Sequence, residues 1–247
     1  MLIFVGSLSE FYILFSSRTI VNGHIVAIAT GRNLENHDGP DFISKINPHA
    51  TIELNGTKIT IGAQTVYRHL FDKDILRELI DFCLDKGYTI GLAQSDTDYY
   101  FNQEKLVEWD KKQWGISQRN FGDPNRILEM EVGTLAYIGD PVGALDIESN
   151  FESIRCPLFA GGLGADVIQG DVSKESGLLR LCEHYNIGIE DTVSFGDSMN
   201  DMEILKRAGV GVAMGNAHDD LKKVADMVTD DIDKDGIYKA CVKLGLI

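Results

Sequence analysis

The chain has 247 residues, 44% of them hydrophobic, and a formal net charge of −15 at pH 7. That much apolar material fills a large core, in one large domain or two modest ones. The charge argues against a nucleic-acid backbone or an anionic membrane as the main partner, yet leaves room for a small anion held by local donors or a metal.

The opening run MLIFVGSLSEFYILF is apolar but interrupted by Glu10. It has no basic leader and no small-residue cleavage pattern, so it is not read as a signal peptide. Gly23 to Thr30, GHIVAIAT, reads as a buried strand ended by Gly31. In ATIELNGTKITIG, Ala50 to Gly62, an Asn55-Gly56 turn separates two β-prone runs and predicts a hairpin. From Asp72 to Gly87, Ile75, Leu76, Leu79, Ile80 and Cys83 recur at helical spacing, and Gly87 stops the helix. Tyr88 to Gln94 is then a strand, and Asn102 to Gly115 a second helix. Between Gly122 and Gly170 the signals are short β-prone runs broken by Gly, Pro and Asp.

After Gly170 helix and strand alternate: VSKESGLLRLCEHYNIG, DTVSFGD, NDMEILKRAG, VGVAMG, AHDDLKKVA, DMVT and KDGIYKACVKLG. This rhythm predicts a parallel sheet covered on both faces. The fold class is α/β: a Rossmann-like parallel-sheet core built from both chain ends, with a smaller α+β module inserted. The expected boundaries are 1–66 and 170–247 for the core and 67–169 for the insertion.

Cys83, Cys156, Cys182 and Cys241 form no CxxC pair, which speaks against a zinc site or disulfide framework and for a reducing cytoplasm. No apolar run approaches the ~20 residues of a membrane span. There is no GxxxxGK[ST] motif, no HExxH, and no complete EF-hand loop.

In an open parallel sheet, ligands bind beyond the carboxyl ends of the strands. Three places qualify. At Thr30-Gly31-Arg32-Asn33, a hydroxyl and successive N–H groups could form an anion-binding concavity; the plain alternative is a polar turn. Ser173 reads as an N-cap, which places Lys174 in the first helical turn, where a cation opposes the helix dipole unless an anion is held there. The third place is FGDSMNDMEIL, Phe195 to Leu205. Asp197 directly follows a strand, and Asn200 and Asp201 enter a helix. Oxygen donors converging there suit a hard cation such as Mg²⁺. Helix capping alone would account for Asp201, but not for the whole Gly-Asp-x-x-Asn-Asp arrangement.

Together ATGR (Ala29 to Arg32), Lys174 in VSKESGL, and FGDSMNDMEIL resemble motifs II, III and IV of the haloacid dehalogenase-like (HAD) hydrolases. The stretch from Ala208 to Ile237 resembles their Cof-type branch, which acts mostly on sugar phosphates and other small phosphorylated metabolites. The resemblance implies that Thr30 and the Gly31 N–H bind phosphoryl oxygens. It also implies that Lys174 neutralises the transferring group and that Asp197 is a Mg²⁺ ligand. Asp201 would hold Lys174 or a metal-bound water, which makes it a second metal-site residue, and Asn200 would contact the phosphate or the metal shell. Arg32 and Asn55 are candidate substrate contacts, and the insertion fits the branch's α+β cap domain.

The family's motif I, Asp-x-Asp-Gly-Thr, is not found. Aligning the apolar run MLIFV puts Gly6 at the nucleophile and Leu8 at the general acid/base, and no Asp precedes Asp38. Ser7, Ser9 and Glu10 lie nearby but out of the family geometry, and 24 residues from Gly6 to Thr30 is short for the family's first strand, flap and helix. Two accounts stand: a truncated, misassigned or frameshifted start to an ordinary phosphatase, or a degenerate relative that binds a phosphorylated ligand without turnover. The first is favoured by the abrupt start of recognisable sequence near Gly23. The expected function is therefore a Mg²⁺-dependent phosphatase scaffold impaired in this chain. Its alternatives are a non-catalytic phosphometabolite-binding or regulatory protein and a purely structural α/β module.

Overall fold

The structure, a computed structural model, describes residues 1–4, 22–36, 39–159 and 162–247. The chain forms two compact units, one of residues 1–34, 38–68 and 172–247 and one of residues 35–37 and 69–171. The first unit begins with β1 (Leu2–Phe4) and β2 (Val26–Ala29), then α1 (Gly39–Ile46), β3 (Ala50–Glu53), β4 (Lys58–Ile61) and β5 (Gln64–Arg68). The second contains α2 (Lys73–Asp85), β6 (Thr89–Gln94), β7 (Thr97–Phe101), α3 (Gln103–Trp114), β8 (Leu135–Ile138), α4 (Pro141–Asn150), β9 (Ile154–Arg155) and β10 (Gly164–Gln169). The first unit resumes with α5 (Lys174–Tyr185), β11 (Val193–Gly196), α6 (Met202–Arg207) and β12 (Val210–Ala213). It ends with α7 (Asp219–Val224), β13 (Met227–Val228) and α8 (Gly236–Lys243).

The first unit's sheet has the order β13-β12-β11-β1-β2-β3-β4-β5. Pairing is parallel from β13 to β3 and antiparallel in the β3-β4-β5 meander. Leu2 stands opposite both Val26 and Val193, so β1 is central. Every residue of β2, β3 and β11 is buried, as expected of strands covered on both faces, which read as apolar runs rather than alternation. Ile52, Leu178, Phe195, Leu205 and Val212 form the middle of this core. From β1 the chain fills one side of the sheet with β2 and β3, and later the other side with β11 and β12. Such a switch point is where open α/β sheets hold their ligands.

In the second unit an antiparallel sheet, β7-β6-β8-β10-β9, packs against α2 and α4 through Leu76, Leu79, Cys83, Ile147, Ile90, Leu135 and Val167. The α4 segment corrects the sequence reading, which saw only broken β-prone runs there. Asp140 caps the helix through the Gly143 N–H and Pro141 starts it, but the face it buries is Gly143, Ala144 and Ile147. Val142 and Leu145 are exposed, so no apolar stripe at helical period announces it. The short elements α1, β5 and β7 were also not anticipated. β5 is mostly exposed, and its residues carry no buried face to read.

Glu53, the last residue of β3, is a buried acid only 3% exposed. Its carboxylate accepts from the Leu34 N–H (2.9 Å), Thr51 Oγ1 (2.9 Å) and Lys58 Nζ (3.3 Å). It thereby ties the loop after β2 to the meander. Removing the carboxylate takes this acceptor from the buried Leu34 N–H and the Thr51 hydroxyl. Glu53→Ala is expected to cost about 2–4 kcal/mol in urea unfolding. A loss below about 1 kcal/mol would show that water or other partners take over these donors.

Candidate active site

Each of the three strand-end segments lies in the first unit. Thr30 continues β2, its N–H donating to the Ile52 carbonyl at 2.8 Å. Its Oγ1 accepts from the Arg32 N–H at 3.1 Å, which leaves the hydroxyl proton to be donated elsewhere. The Thr30 and Arg32 carbonyls accept from the N–H groups of Asn55 (3.0 Å) and Leu54 (3.3 Å). The Arg32 side chain is exposed.

Lys174 begins α5. Ser173 is its N-cap, accepting from the Ser176 N–H at 3.2 Å, while Ser176 Oγ accepts from the Ser173 N–H at 3.0 Å. This reciprocal cap orients the first turn. Lys174 Nζ donates to Asp201 Oδ1 at 2.7 Å, and the two side chains are 3% and 0% exposed. The anion that a cation in a first helical turn calls for is thus supplied by the chain itself.

The second oxygen of Asp201, Oδ2, accepts from the N–H groups of Asp197 (3.1 Å) and Ser198 (3.0 Å). Both oxygens are therefore committed, one to Lys174 and one to the turn out of β11. Gly196 makes this approach possible, since a Cβ there would stand 2.6 Å from the Asp201 Cβ.

Asp197 is placed differently. Among the described residues its carboxylate has only long contacts, from Ser198 Oγ and Asn216 Nδ2, each at 3.4 Å. Burial, and then the charge of Asp201, push its pKa above the ordinary 3.8, with partial relief from Ser198, Lys174 and Asn216. Nearby, Asn200 donates from Nδ2 to Asn55 Oδ1 at 3.2 Å, and its own Oδ1 is buried with no hydrogen-bond partner among the described residues.

The under-paired carboxylate of Asp197 and the orphaned amide oxygen of Asn200, three residues apart in one turn, are both oxygen donors. That set fits a hard cation of the Mg²⁺ kind, which takes one or two carboxylates and completes its shell with phosphate and water. Among the described residues no group of three or more His, Cys, Asp or Glu side chains is placed to hold a metal ion, so the fit rests on that sparse style of coordination.

The structure brings Thr30, Gly31, Asn55, Lys174, Asn200, Asp197 and Asp201 into one linked set of segments, with Arg32 joined through its backbone. Gly6, Ser7, Leu8, Ser9 and Glu10 lie outside the described residues. Asn216 was missed by the sequence reading. It lies three residues beyond the end of β12, and its Oδ1 accepts from the Ile232 N–H at 3.2 Å, so the strand-end rule extended to the loop after β12 would have found it.

A model of the haloacid dehalogenase-like hydrolase family matches residues 7–241. The chain belongs to the HAD-like hydrolases. Among the relatives of this HAD-like chain is YkrA of Bacillus subtilis (strain 168), a protein assigned provisionally as a phosphatase. It is 28% identical over 237 residues, covering 91% of this chain and 86% of YkrA. The 5-amino-6-(5-phospho-D-ribitylamino)uracil phosphatase YitU of the same organism is 24% identical over 236 residues, covering 88% and 84%. Among solved structures, the subclass IIB sugar phosphatase BT4131 superposes with a TM-score of 0.86 at 23% identity, covering 100% of this chain and 99% of that one. At that identity the likeness is one of fold.

The raised pKa of Asp197 carries a stability consequence. Where the folded state holds its proton more tightly than the unfolded state, stability falls as pH rises through the folded pKa. Near neutrality the full penalty is present, so Asp197→Asn is expected to raise the melting temperature of the metal-free protein by a few degrees. The gain should shrink as pH falls toward the ordinary value of 3.8. Thermal denaturation of both proteins at neutral and acid pH checks this, and a lower melting temperature for the variant at neutral pH would contradict it.

Proposed function

We propose that this HAD-like chain binds the phosphoryl group of small phosphorylated metabolites together with Mg²⁺, on a phosphatase scaffold impaired in turnover. The observation that carries this reading is the buried Lys174–Asp201 pair set beside the under-paired carboxylate of Asp197. In this reading the Thr30 hydroxyl and the Gly31 N–H donate to phosphoryl oxygens, and Lys174 sets a fixed positive charge against the transferring group. Asp197 and Asn200 would hold the cation, which when bound supplies Lewis-acid stabilisation of the phosphoryl charge. The hydrogen bonds of Asp201 support a positioning role for it, holding Lys174, rather than direct metal ligation.

The residues aligned with the family's two reacting acids are Gly6 and Leu8. Neither can form a phosphoryl ester or carry a proton. Since such acids act as a unit with the rest of the site, their absence is expected to cost many orders of magnitude in rate. The second unit, residues 35–37 and 69–171, would serve as the cap that selects the substrate. BT4131 is a sugar phosphatase and YitU a 5-amino-6-(5-phospho-D-ribitylamino)uracil phosphatase, which indicates the substrate class to try first, in a cytoplasmic setting. The missing acids equally favour a second reading, a phosphometabolite-binding or regulatory protein.

One pair of measurements tests both readings. With Mg²⁺ present, inorganic phosphate or a hexose phosphate is expected to raise the melting temperature by mass action, and Asp197→Asn to abolish the shift. Hydrolysis of p-nitrophenyl phosphate is expected to stay at the level of the Asp197→Asn variant. Turnover clearly above that level would defeat the impaired reading, and no thermal shift with any phosphate ester would defeat phosphate binding altogether.

A further inference from the structure

Between β3 and β4, the consecutive residues Leu54, Asn55 and Gly56 all have positive φ, at 51°, 54° and 99°. Asparagine tolerates the left-handed region and glycine is at home there, but a leucine is strained by about 1–3 kcal/mol. Such a turn persists only where its surroundings over-determine it.

Its surroundings are the three strand-end segments. The Leu54 and Asn55 N–H groups donate to the Arg32 and Thr30 carbonyls at 3.3 and 3.0 Å. Gly56 lies against the residue that caps α5, where a Cβ would stand 2.1 Å from the Ser173 carbonyl oxygen. The Asn55 side chain, in a residue 3% exposed, accepts from Asn200 Nδ2 at 3.2 Å, across 145 residues of sequence. One strained turn therefore touches the Thr30 loop, the start of the Lys174 helix and the Asn200 turn.

We propose that this turn sets the phosphate-side segments in register, and that Asn55 is a positioning residue acting through Asn200 rather than a contact to substrate. The inference rests on the phosphate-site reading above. The chemistry is that of an amide clamp. Asn55 Oδ1 accepts a hydrogen bond from the Asn200 amide and so fixes the plane of that group. The Asn200 Oδ1 is then held buried without a partner among the described residues, a state a polar atom keeps when an ion, a water or a ligand completes it. If the turn served the hairpin alone, glycine at position 55 would meet the same φ without strain and without a buried amide.

Asn55→Gly isolates the side chain, because glycine keeps the left-handed backbone available. Isothermal titration with inorganic phosphate in the presence of Mg²⁺ is expected to show about a five- to tenfold loss of affinity, while the melting temperature stays within a few degrees. Asn200→Ala should lose a similar factor, and the double variant should bind no more weakly than Asn200→Ala alone, since the two act as one unit. Losses that multiply, or an unchanged affinity in Asn55→Gly when the unsubstituted chain binds phosphate, would overturn the inference and leave the phosphate site standing. No phosphate binding by the unsubstituted chain would overturn that site, and the inference with it. Independently of any variant, the Asn200 side-chain amide protons should give exchange-protected NMR resonances, and signals typical of a free amide would also overturn it.

Discussion

The first unit depends on one contact, the buried ion pair of Lys174 and Asp201 at 2.7 Å. Stripping water from both charges is costly, and their attraction offsets that cost only when the remaining lone pairs are also satisfied. Asp201 meets this condition through the N–H groups of Asp197 and Ser198. One carboxylate thereby fixes the first turn of α5, the exit from β11 and the start of α6 relative to each other. The arrangement also places a positive charge where a helix N-terminus already favours an anion.

Asp197 shows the opposite economy. Four residues from a fully satisfied acid, it sits in a place that disfavours its own charge and, among the described residues, offers it only long hydrogen bonds. Local conflicts of this kind gather at functional sites, where a ligand resolves what the protein alone leaves unresolved. The orphaned oxygen of Asn200 is a second conflict of the same sign, since both call for a cation or a donor from outside.

Fold and reaction separate cleanly at β1. Leu2 and Ile3 pair in register with both β2 and β11, and Phe4 with β2, at the centre of the sheet. Backbone hydrogen bonding and an apolar environment are all that a central strand needs, so the strand forms irrespective of which residue follows it. The chemistry of the family, by contrast, depends on particular acids just beyond that strand. Here the aligned residues are Gly6 and Leu8. In the proposed reading the same sheet carries the residues for phosphate binding, while the sequence offers neither reacting acid at Gly6 and Leu8.

Much of this was legible from sequence because it is local. The alternation after Gly170, the Ser173 cap and the Gly-Asp-x-x-Asn-Asp turn are each written within a few consecutive residues, where period and capping act. The α4 helix was not legible, because Gly143 and Ala144 bury almost no side chain and leave no stripe. Nor was the role of Asn55, whose partner Asn200 is 145 residues away. The sequence by itself determined the family, the parallel core and the residue types available for a phosphate and a cation. Only the tertiary structure decided which atoms those residues spend on one another. Parallel pairing brings β3, β11 and the start of α5 to one edge, and no sequence spacing encodes that juxtaposition.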